Sequence, residues 1–194
     1  MVNLSKGQRV SLDKDMKLCL VGLGWDPNYH GRYDFDLDAS VFLLGPNGRV
    51  RSDEDFVFYG NLHHVSGSVK SMGDDRTGGN SEDGDDEQII IDLSRVPSYV
   101  DRMAITVTIY DAKVRGQNFG QVANAYVRVV KIRNEGDDRG EEVVRYDLDA
   151  EFSNATAMVA CEISRNGRDW KFSAIGAAYS GELEALCRKF GVNV

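Results

Sequence analysis

Apolar and polar residues alternate along many short segments of the chain, as expected of β-strands that bury one face. In Met103–Tyr110, for example, Ile105, Val107 and Ile109 alternate with threonines. Lys17–Trp25 is apolar at nearly every position, which predicts a central strand covered on both faces. The same reasoning predicts further strands at Gln8–Leu12, Asp36–Leu44, Phe56–Phe58, Gln88–Leu93, Ala123–Ile132, Gly140–Leu148, Met158–Ser164 and Asp169–Ile175.

Turn signals separate these segments at short intervals. Asn-Gly pairs within Gly45–Gly48 and Arg165–Arg168 supply the positive φ that tight turns need. The second pair predicts a hairpin between the last two strands. The stretch from Asp111 to Gln121 reads as a loop or a short helix.

The end of the chain has the pattern of a helix. Leu183, Leu186 and Phe190 share one stripe, Ser180 is predicted to cap the helix and Gly191 to end it. Together these elements predict an all-β fold. It is an antiparallel β-sandwich of about ten strands, with acidic loops at one end and a short C-terminal helix. The length of 194 residues predicts a single domain, 1–194.

Charge and composition exclude several classes of function. The net charge of −8, with no run of lysines or arginines, argues against binding to nucleic acid. The chain has no apolar stretch long enough to span a membrane, and its first residues lack a signal-peptide pattern. We therefore expect a cytoplasmic protein with no direct membrane insertion. The three cysteines, Cys19, Cys161 and Cys187, are widely spaced, which predicts reduced thiols used as small apolar residues.

Carboxylates alternate with apolar residues just where a strand is predicted. Asp34, Asp36 and Asp38 would share one strand face, with Phe35, Leu37 and Ala39 in the core beneath. Three such carboxylates repel one another unless a cation lies among them. Calcium suits the pattern, because it takes about six to eight oxygen ligands in a tolerant geometry.

A second acidic segment, Gly73–Glu87, is rich in glycine and aspartate. Glycines let backbone carbonyls turn inward, and the carboxylates supply hard oxygen ligands. The spacing is not that of an EF-hand, because Ala39 and Gly45 stand where that loop needs Gly and Glu. The ligands would therefore come from separate loops, with enough acids for two Ca²⁺ ions. The candidate metal ligands are Asp26, Asp34, Asp36, Asp38, Asn61, Asp74, Asp75, Asp83, Asp85, Asp86 and Glu87.

Other interpretations of the same residues remain open. The acidic segment could be a solvated connection, and Asp26 a strand-end cap. His63 and His64 are interpreted as exposed loop residues rather than metal ligands, and Asp55 as a surface charge. Zinc and copper sites would need a set of histidine or cysteine ligands that this spacing does not provide.

Six stretches of the chain match, in order, the motifs of one known family: Val21–Asp26, Asp34–Ser40, Asp55–Tyr59, Gly84–Glu87, Gly116–Gly120 and Phe190–Val194. The chain resembles the TerD family of tellurium-resistance and stress-response proteins over nearly its whole length. The resemblance implies a bacterial cytoplasmic β-sandwich that binds calcium at acidic loops. It also implies partners among other stress-response or membrane-associated Ter proteins.

The sequence favours a binding or signalling module over an enzyme. Ser40 lies outside any Gly-x-Ser-x-Gly turn, and Gly22 and Gly24 lack the rest of a dinucleotide fingerprint. Two alternatives remain. One is a protein that binds a nucleotide-like small ligand in a calcium-dependent way, as the resemblance to some family members implies. The other is a metal-assisted hydrolase.

Overall fold

The computed structural model describes residues 1–79, 84–137, 139–148 and 154–193. In these ranges two six-stranded sheets form a sandwich, so the predicted fold class is confirmed. The first sheet has the order β1 (Val2–Leu4), β10 (Glu141–Asp147), β9 (Tyr126–Ile132), β3 (Leu18–Gly24), β7 (Glu87–Asp92) and β6 (Val69–Ser71). The second has the order β2 (Arg9–Ser11), β12 (Asp169–Tyr179), β11 (Ala157–Asn166), β8 (Arg102–Ile109), β4 (Leu37–Leu44) and β5 (Phe56–Val57).

Local sequence patterns account for most of these strands. Strand β3 lies inside its sheet between β9 and β7, as its apolar sequence predicts. Strands β11 and β12 form the predicted hairpin, and Asn166 pairs with Asp169 across the two-residue loop Gly167–Arg168. Gly167 has a φ of 66°, which an L side chain adopts only with strain.

The structure differs from the sequence prediction at two short strands and one pairing. Strands β1 and β6 have three residues each, too few to show a periodic pattern. They raise the number of strands in the described ranges from about ten to 12. The sandwich is also not purely antiparallel, because β1 runs parallel to β10, with Val2 opposite Val144.

Four short helical segments complete the described chain. They are a 3-10 turn at Asp53–Asp55, the helix α1 (Ala112–Arg115), a 3-10 turn at Phe119–Gln121 and the helix α2 (Glu182–Phe190). Gly191 ends α2 with a φ of 85°, as predicted. The predicted cap was wrong by one residue, because Gly181, not Ser180, holds the N-cap position.

Among the described residues, two apolar cores lie on the two faces of the second sheet. The larger core lies between the sheets, where alternate β4 residues Leu37, Val41 and Leu43 point. The smaller core lies on the outer face, where α2 covers Phe42 through Phe190, with ring centroids 4.7 Å apart. Strand β4 is therefore buried on both faces, and any polar side chain on it is drawn out of water.

Candidate metal centre

Three carboxylates meet where β4 and β7 begin. In the described ranges Asp38, Asp74 and Glu87 each place a carboxylate oxygen within 4.8 Å of the others. Asp38 and Glu87 are buried, whereas Asp74, which lies between β6 and β7, is exposed. We call these three residues the acidic cluster.

The two sheets together build this cluster. Glu87 is the first residue of β7 and shares a strand face with Ile89 and Ile91, which lie in the large core. At the open end of the sandwich its carboxylate reaches the second sheet and accepts a 2.6 Å hydrogen bond from the amide of Ala39. Strand β5 pairs with β4 at Val41 and Phe42, beyond Ala39. At Ala39, Glu87 therefore accepts the hydrogen bond that a neighbouring strand would otherwise accept.

Burial and repulsion by neighbouring charges raise the pKa of two carboxyls of the cluster, Glu87 and Asp38. Burial raises the pKa of Glu87 to about 9, aided by the charges of Asp38 and Asp74 and opposed by the amides of Ala39 and Asp75. Burial likewise raises the pKa of Asp38 to about 7, and the neighbouring Asp36 and Asp74 add to the rise. A cation placed among these carboxylates would favour their ionised forms.

Asp36 lies beside the cluster, but its charge is balanced by two arginines. Its Oδ2 lies 3.3 Å from Nη1 of Arg115 and 3.8 Å from Nε of Arg76. Burial still raises the pKa of Asp36, although the charge of Arg115 lowers it. Within the described ranges, no lysine or arginine forms an ion pair with any of the three cluster residues. In those ranges the cluster carboxylates therefore have no ion-pair partner to balance their charge when they ionise.

Trp25 fixes the two acidic segments relative to each other. Its indole N–H donates to the carbonyl of Phe35 at 3.1 Å, and its backbone amide donates to Asp86 Oδ2 at 2.8 Å. Gly78 packs on the same ring with a φ of 74°, and a Cβ there would lie 2.4 Å from the indole nitrogen. Position 78, where the segment that carries Asp74 packs on Trp25, therefore requires a glycine.

Asp85 is held by an arginine rather than by the cluster. Its two oxygens accept from Arg128 Nε at 2.7 Å and Nη2 at 2.8 Å, a bidentate pair that excludes solvent from the carboxylate. Gly22 makes room for this pair, because a Cβ there would lie 2.3 Å from the carboxylate. The negative charge of Asp85 is therefore already compensated.

The remaining predicted ligands in the described ranges lie outside the acidic cluster. Asp75 Oδ1 accepts from the amides of Thr77 and Gly78, and Asp26 Oδ2 accepts from Asn124 at 2.6 Å. The amide of Asn61 donates to the carbonyl of Phe56, while Asp34 is exposed and precedes β4. Of the predicted row Asp34, Asp36 and Asp38, only Asp38 lies on a strand and in the cluster. Asp83 lies outside the described residues.

Four residues beside the cluster were not predicted. Arg76, Tyr59 and Tyr110 line a cavity of about 170 Å³ together with Asp36, Asp38 and Asp74. Arg115 pairs with Asp36. Arg76 is the single basic residue of the Gly73–Glu87 segment, a signal that its charge opposes the carboxylates. The two tyrosines come from distant segments and carry no comparable signal.

Two interpretations from the sequence are wrong. Asp55 and His64 are buried, and His64 Nε2 lies 3.0 Å from Asp55 Oδ1. The hydroxyl of Tyr99 and the amide of Arg51 also donate to Asp55. Burial raises the pKa of Asp55, but these hydrogen bonds outweigh it and lower the pKa overall. His63 is exposed, as predicted.

Comparisons with known proteins agree with this architecture. The TerD domain model matches residues 1–190. The tellurium resistance protein TerD of Serratia marcescens is 50% identical over 99% of this chain and 98% of its own. The uncharacterized protein YceE of Bacillus subtilis is 51% identical over 100% and 99%. General stress protein 16U of the same organism is 46% identical over 100% and 98%.

Solved structures share the fold at lower sequence identity. A homologue of the telluride resistance protein TerD from Streptomyces coelicolor A3(2) superposes with a TM-score of 0.68 at 21% identity. The alignment covers 88% of this chain and 95% of that one. In the part of the chain that the structure describes, no helix has the length and apolar character needed to cross a membrane.

Proposed function

Because the chain belongs to the TerD family, we propose that it is a calcium-binding protein of tellurite resistance or stress response that acts as a binding or signalling module. The process is suggested by relatives named for tellurium resistance and for general stress. The observation that carries the calcium proposal is the acidic cluster of Asp38, Asp74 and Glu87.

The donor set suits calcium better than a softer metal. All three side chains offer carboxylate oxygens, and calcium prefers oxygen ligands at about 2.3 to 2.6 Å. Three carboxylates supply up to about six oxygens, and backbone carbonyls and water can complete a shell of about six to eight. Zinc and copper favour nitrogen and sulfur, which this cluster does not offer. A second ion, supported only by the abundance of acids, stays a prediction.

The position of the cluster suggests what calcium would do. Asp38 belongs to the second sheet, Glu87 to the first, and Asp74 to the loop over the open end of the sandwich. One ion shared by the three would tie both sheets and the loop together, which is how a bound ion can stabilise a surface for a partner.

The test compares calcium and magnesium binding in the native protein and in Asp38→Asn and Glu87→Gln. Each change removes one charge and nearly keeps shape. We expect titration calorimetry to show tighter binding of calcium than of magnesium, and each variant to lose at least tenfold in calcium affinity. Calcium at about 100 times its dissociation constant should stabilise the native fold by about 2.7 kcal/mol.

Asp55→Asn is the matched control, because Asp55 is also buried but lies outside the acidic cluster. We expect it to lower the melting temperature and to keep the shift that calcium produces. If native protein binds no calcium at millimolar free ion, or if Asp38→Asn binds it as well as native protein does, the proposal fails.

A further inference from the structure

A cavity of about 420 Å³ lies between α2 and the edge of the second sheet, apart from most of the acidic cluster. This volume is within the range of small-molecule sites. The helix contributes Leu183 and Cys187 to its wall, and β5 and the residues after it contribute Phe56, Phe58 and Tyr59. We call it the α2 cavity.

Aromatic rings form a continuous series along one wall of this cavity. Phe56 stacks on Phe58 with centroids 4.4 Å apart, and Tyr59 meets Phe58 edge-on at 5.0 Å. Tyr110 follows at 6.4 Å from Tyr59. Tyr59 and Tyr110 are partly exposed, so ring surface is available to a ligand. Ring faces carry negative potential and attract cations.

The charged residues of the same cavity are all acidic. Its described lining contains five carboxylates and no lysine or arginine: Asp38, Asp53, Asp111, Glu182 and Glu184. Asp53 and Glu182 accept hydrogen bonds from neutral amides, of Asn193 and Lys113 respectively, which leave their charge in place. Glu184 shares an exposed ion pair with Arg188.

The geometry points to a binding site for a small organic cation, an ammonium or guanidinium group on an apolar body. The rings would hold the apolar body and one face of the cation, and the carboxylates would balance its charge. Tyr110 already makes a cation–π contact within the chain, because Cζ of Arg115 lies 5.3 Å from its ring centroid. The wall therefore presents the two features that such cations require.

Two other occupants fit less well. An anion would meet five carboxylates, against the roughly half positive charge of the α2 N-terminus. A bare metal ion would need converging oxygens, but the only carboxylate of this cavity that joins such a group in the described ranges is Asp38. The inference does not depend on calcium binding, and the test is run in chelator.

The test uses three probes that share one apolar body: hexylammonium, 1-hexanol and hexanoate. Backbone amide shifts of the full chain are followed by NMR at physiological salt during each titration. We expect hexylammonium to shift the amides of Tyr59, Tyr110 and Leu183 and to bind at least ten times more tightly than hexanol. Hexanoate should leave these amides unchanged. Equal binding of hexylammonium and hexanol, or no shift at these amides, would overturn the proposal.

Two variants separate this site from general attraction to an acidic protein. Asp111→Asn with Glu182→Gln removes two charges from the cavity, and Glu141→Gln with Asp147→Asn removes two exposed charges on β10. Only the first pair should weaken hexylammonium binding, by at least threefold, with hexanol unaffected. Equal weakening by both pairs would show nonspecific attraction and refute the site.

Phe58→Leu provides an independent measurement if the double variant folds poorly. It keeps an apolar wall but removes a ring, so hexylammonium should lose affinity while hexanol keeps its own. Unchanged hexylammonium binding in Phe58→Leu would contradict the role of the rings.

Discussion

At the scale of single residues, Glu87 and Asp38 are set apart by raised pKa values. Glu87 has its pKa raised to about 9 and Asp38 to about 7, in both cases first by burial. Asp36 is nearby, yet two arginines share its charge. The contrast indicates that Asp36 is a structural anion, whereas the cluster lacks such a partner in the described ranges.

The first prediction concerns pH. Because the folded pKa values of Glu87 and Asp38 exceed their unfolded values, the folded protein without metal binds protons more tightly than the unfolded chain. The contribution of these two groups to stability is fully present below about pH 4 and is lost as pH rises toward about 9. Calcium binds the ionised carboxylates, so its stabilising effect should be larger at about pH 8.5 than at about pH 5.5.

Melting curves in calcium and in chelator at these two pH values provide the measurement. A calcium shift that is the same at both, in protein that binds calcium, would show that proton release from the cluster is not coupled to the ion.

A second prediction separates Asp85 from the cluster. Asp85→Asn removes the buried one of the two carboxylates that pair with Arg128, and Glu142 stays 3.1 Å from the guanidinium. Breaking a buried pair costs up to about 3 kcal/mol of unfolding free energy, measurable by urea unfolding. The calcium-induced rise in melting temperature should persist. Asp147→Asn, at an exposed pair with Arg145, should cost less than about 1 kcal/mol. Loss of the calcium response in Asp85→Asn would instead place Asp85 among the ligands.

At the scale of elements, the loop that carries Asp74 owes its place to Trp25. The same indole is hydrogen-bonded to the segment before β4 and packs on Gly78 of the loop. Two segments from different sheets are therefore brought to one ring. This arrangement explains why acids distant in sequence meet at the open end of the sandwich.

The third prediction tests this anchor. Gly78→Ala adds a Cβ against the indole at a φ of 74°, so both contact and backbone oppose it. We expect calcium affinity to fall at least tenfold and amide hydrogen exchange across residues 73–79 to accelerate. Gly136→Ala is the control, because its nearest neighbour would lie 3.7 Å away and its φ is unstrained. Unchanged affinity in Gly78→Ala would mean that Trp25 does not position Asp74.

At the scale of the whole molecule, the thiols are placed where they cannot easily react. All three cysteines are buried. Burial raises the pKa of Cys19 to about 12 and that of Cys187 to about 11, and it also raises the pKa of Cys161. The thiolate, which is the reactive form, is therefore disfavoured at neutral pH.

The fourth prediction concerns catalysis of tellurite reduction. We expect the purified protein to show no turnover of tellurite with nicotinamide or thiol donors, in line with a binding module. The assay follows the loss of tellurite and the oxidation of the donor, with Cys19→Ser, Cys161→Ser and Cys187→Ser as variants. Sustained turnover that these variants abolish would contradict the proposed function.

The sequence by itself determined what depends on near neighbours. Alternation in β8, the apolar run of β3 and the Asn-Gly turn between β11 and β12 each act within a few residues, so they predict strands and a hairpin directly. The same alternation placed Leu37 and Ala39 in the core and assigned the intervening Asp38 to the opposite face. The alternating carboxylates raised the expectation of calcium, and the family motifs supported it.

Only the tertiary structure decided which charges meet. Asp85 and Arg128 are 43 residues apart, and Asp36 and Arg115 are 79 apart, and neither pairing has a local pattern. Glu87 reaches Asp38 because two sheets end together, and His64 is buried because Asp55 lies opposite it. Carboxylates in similar local sequence therefore have different roles: Asp85 pairs with an arginine, Asp55 with a histidine, and Asp38 belongs to the acidic cluster. Burial and packed neighbours set the charge balance of each, and both arise only when distant segments come together.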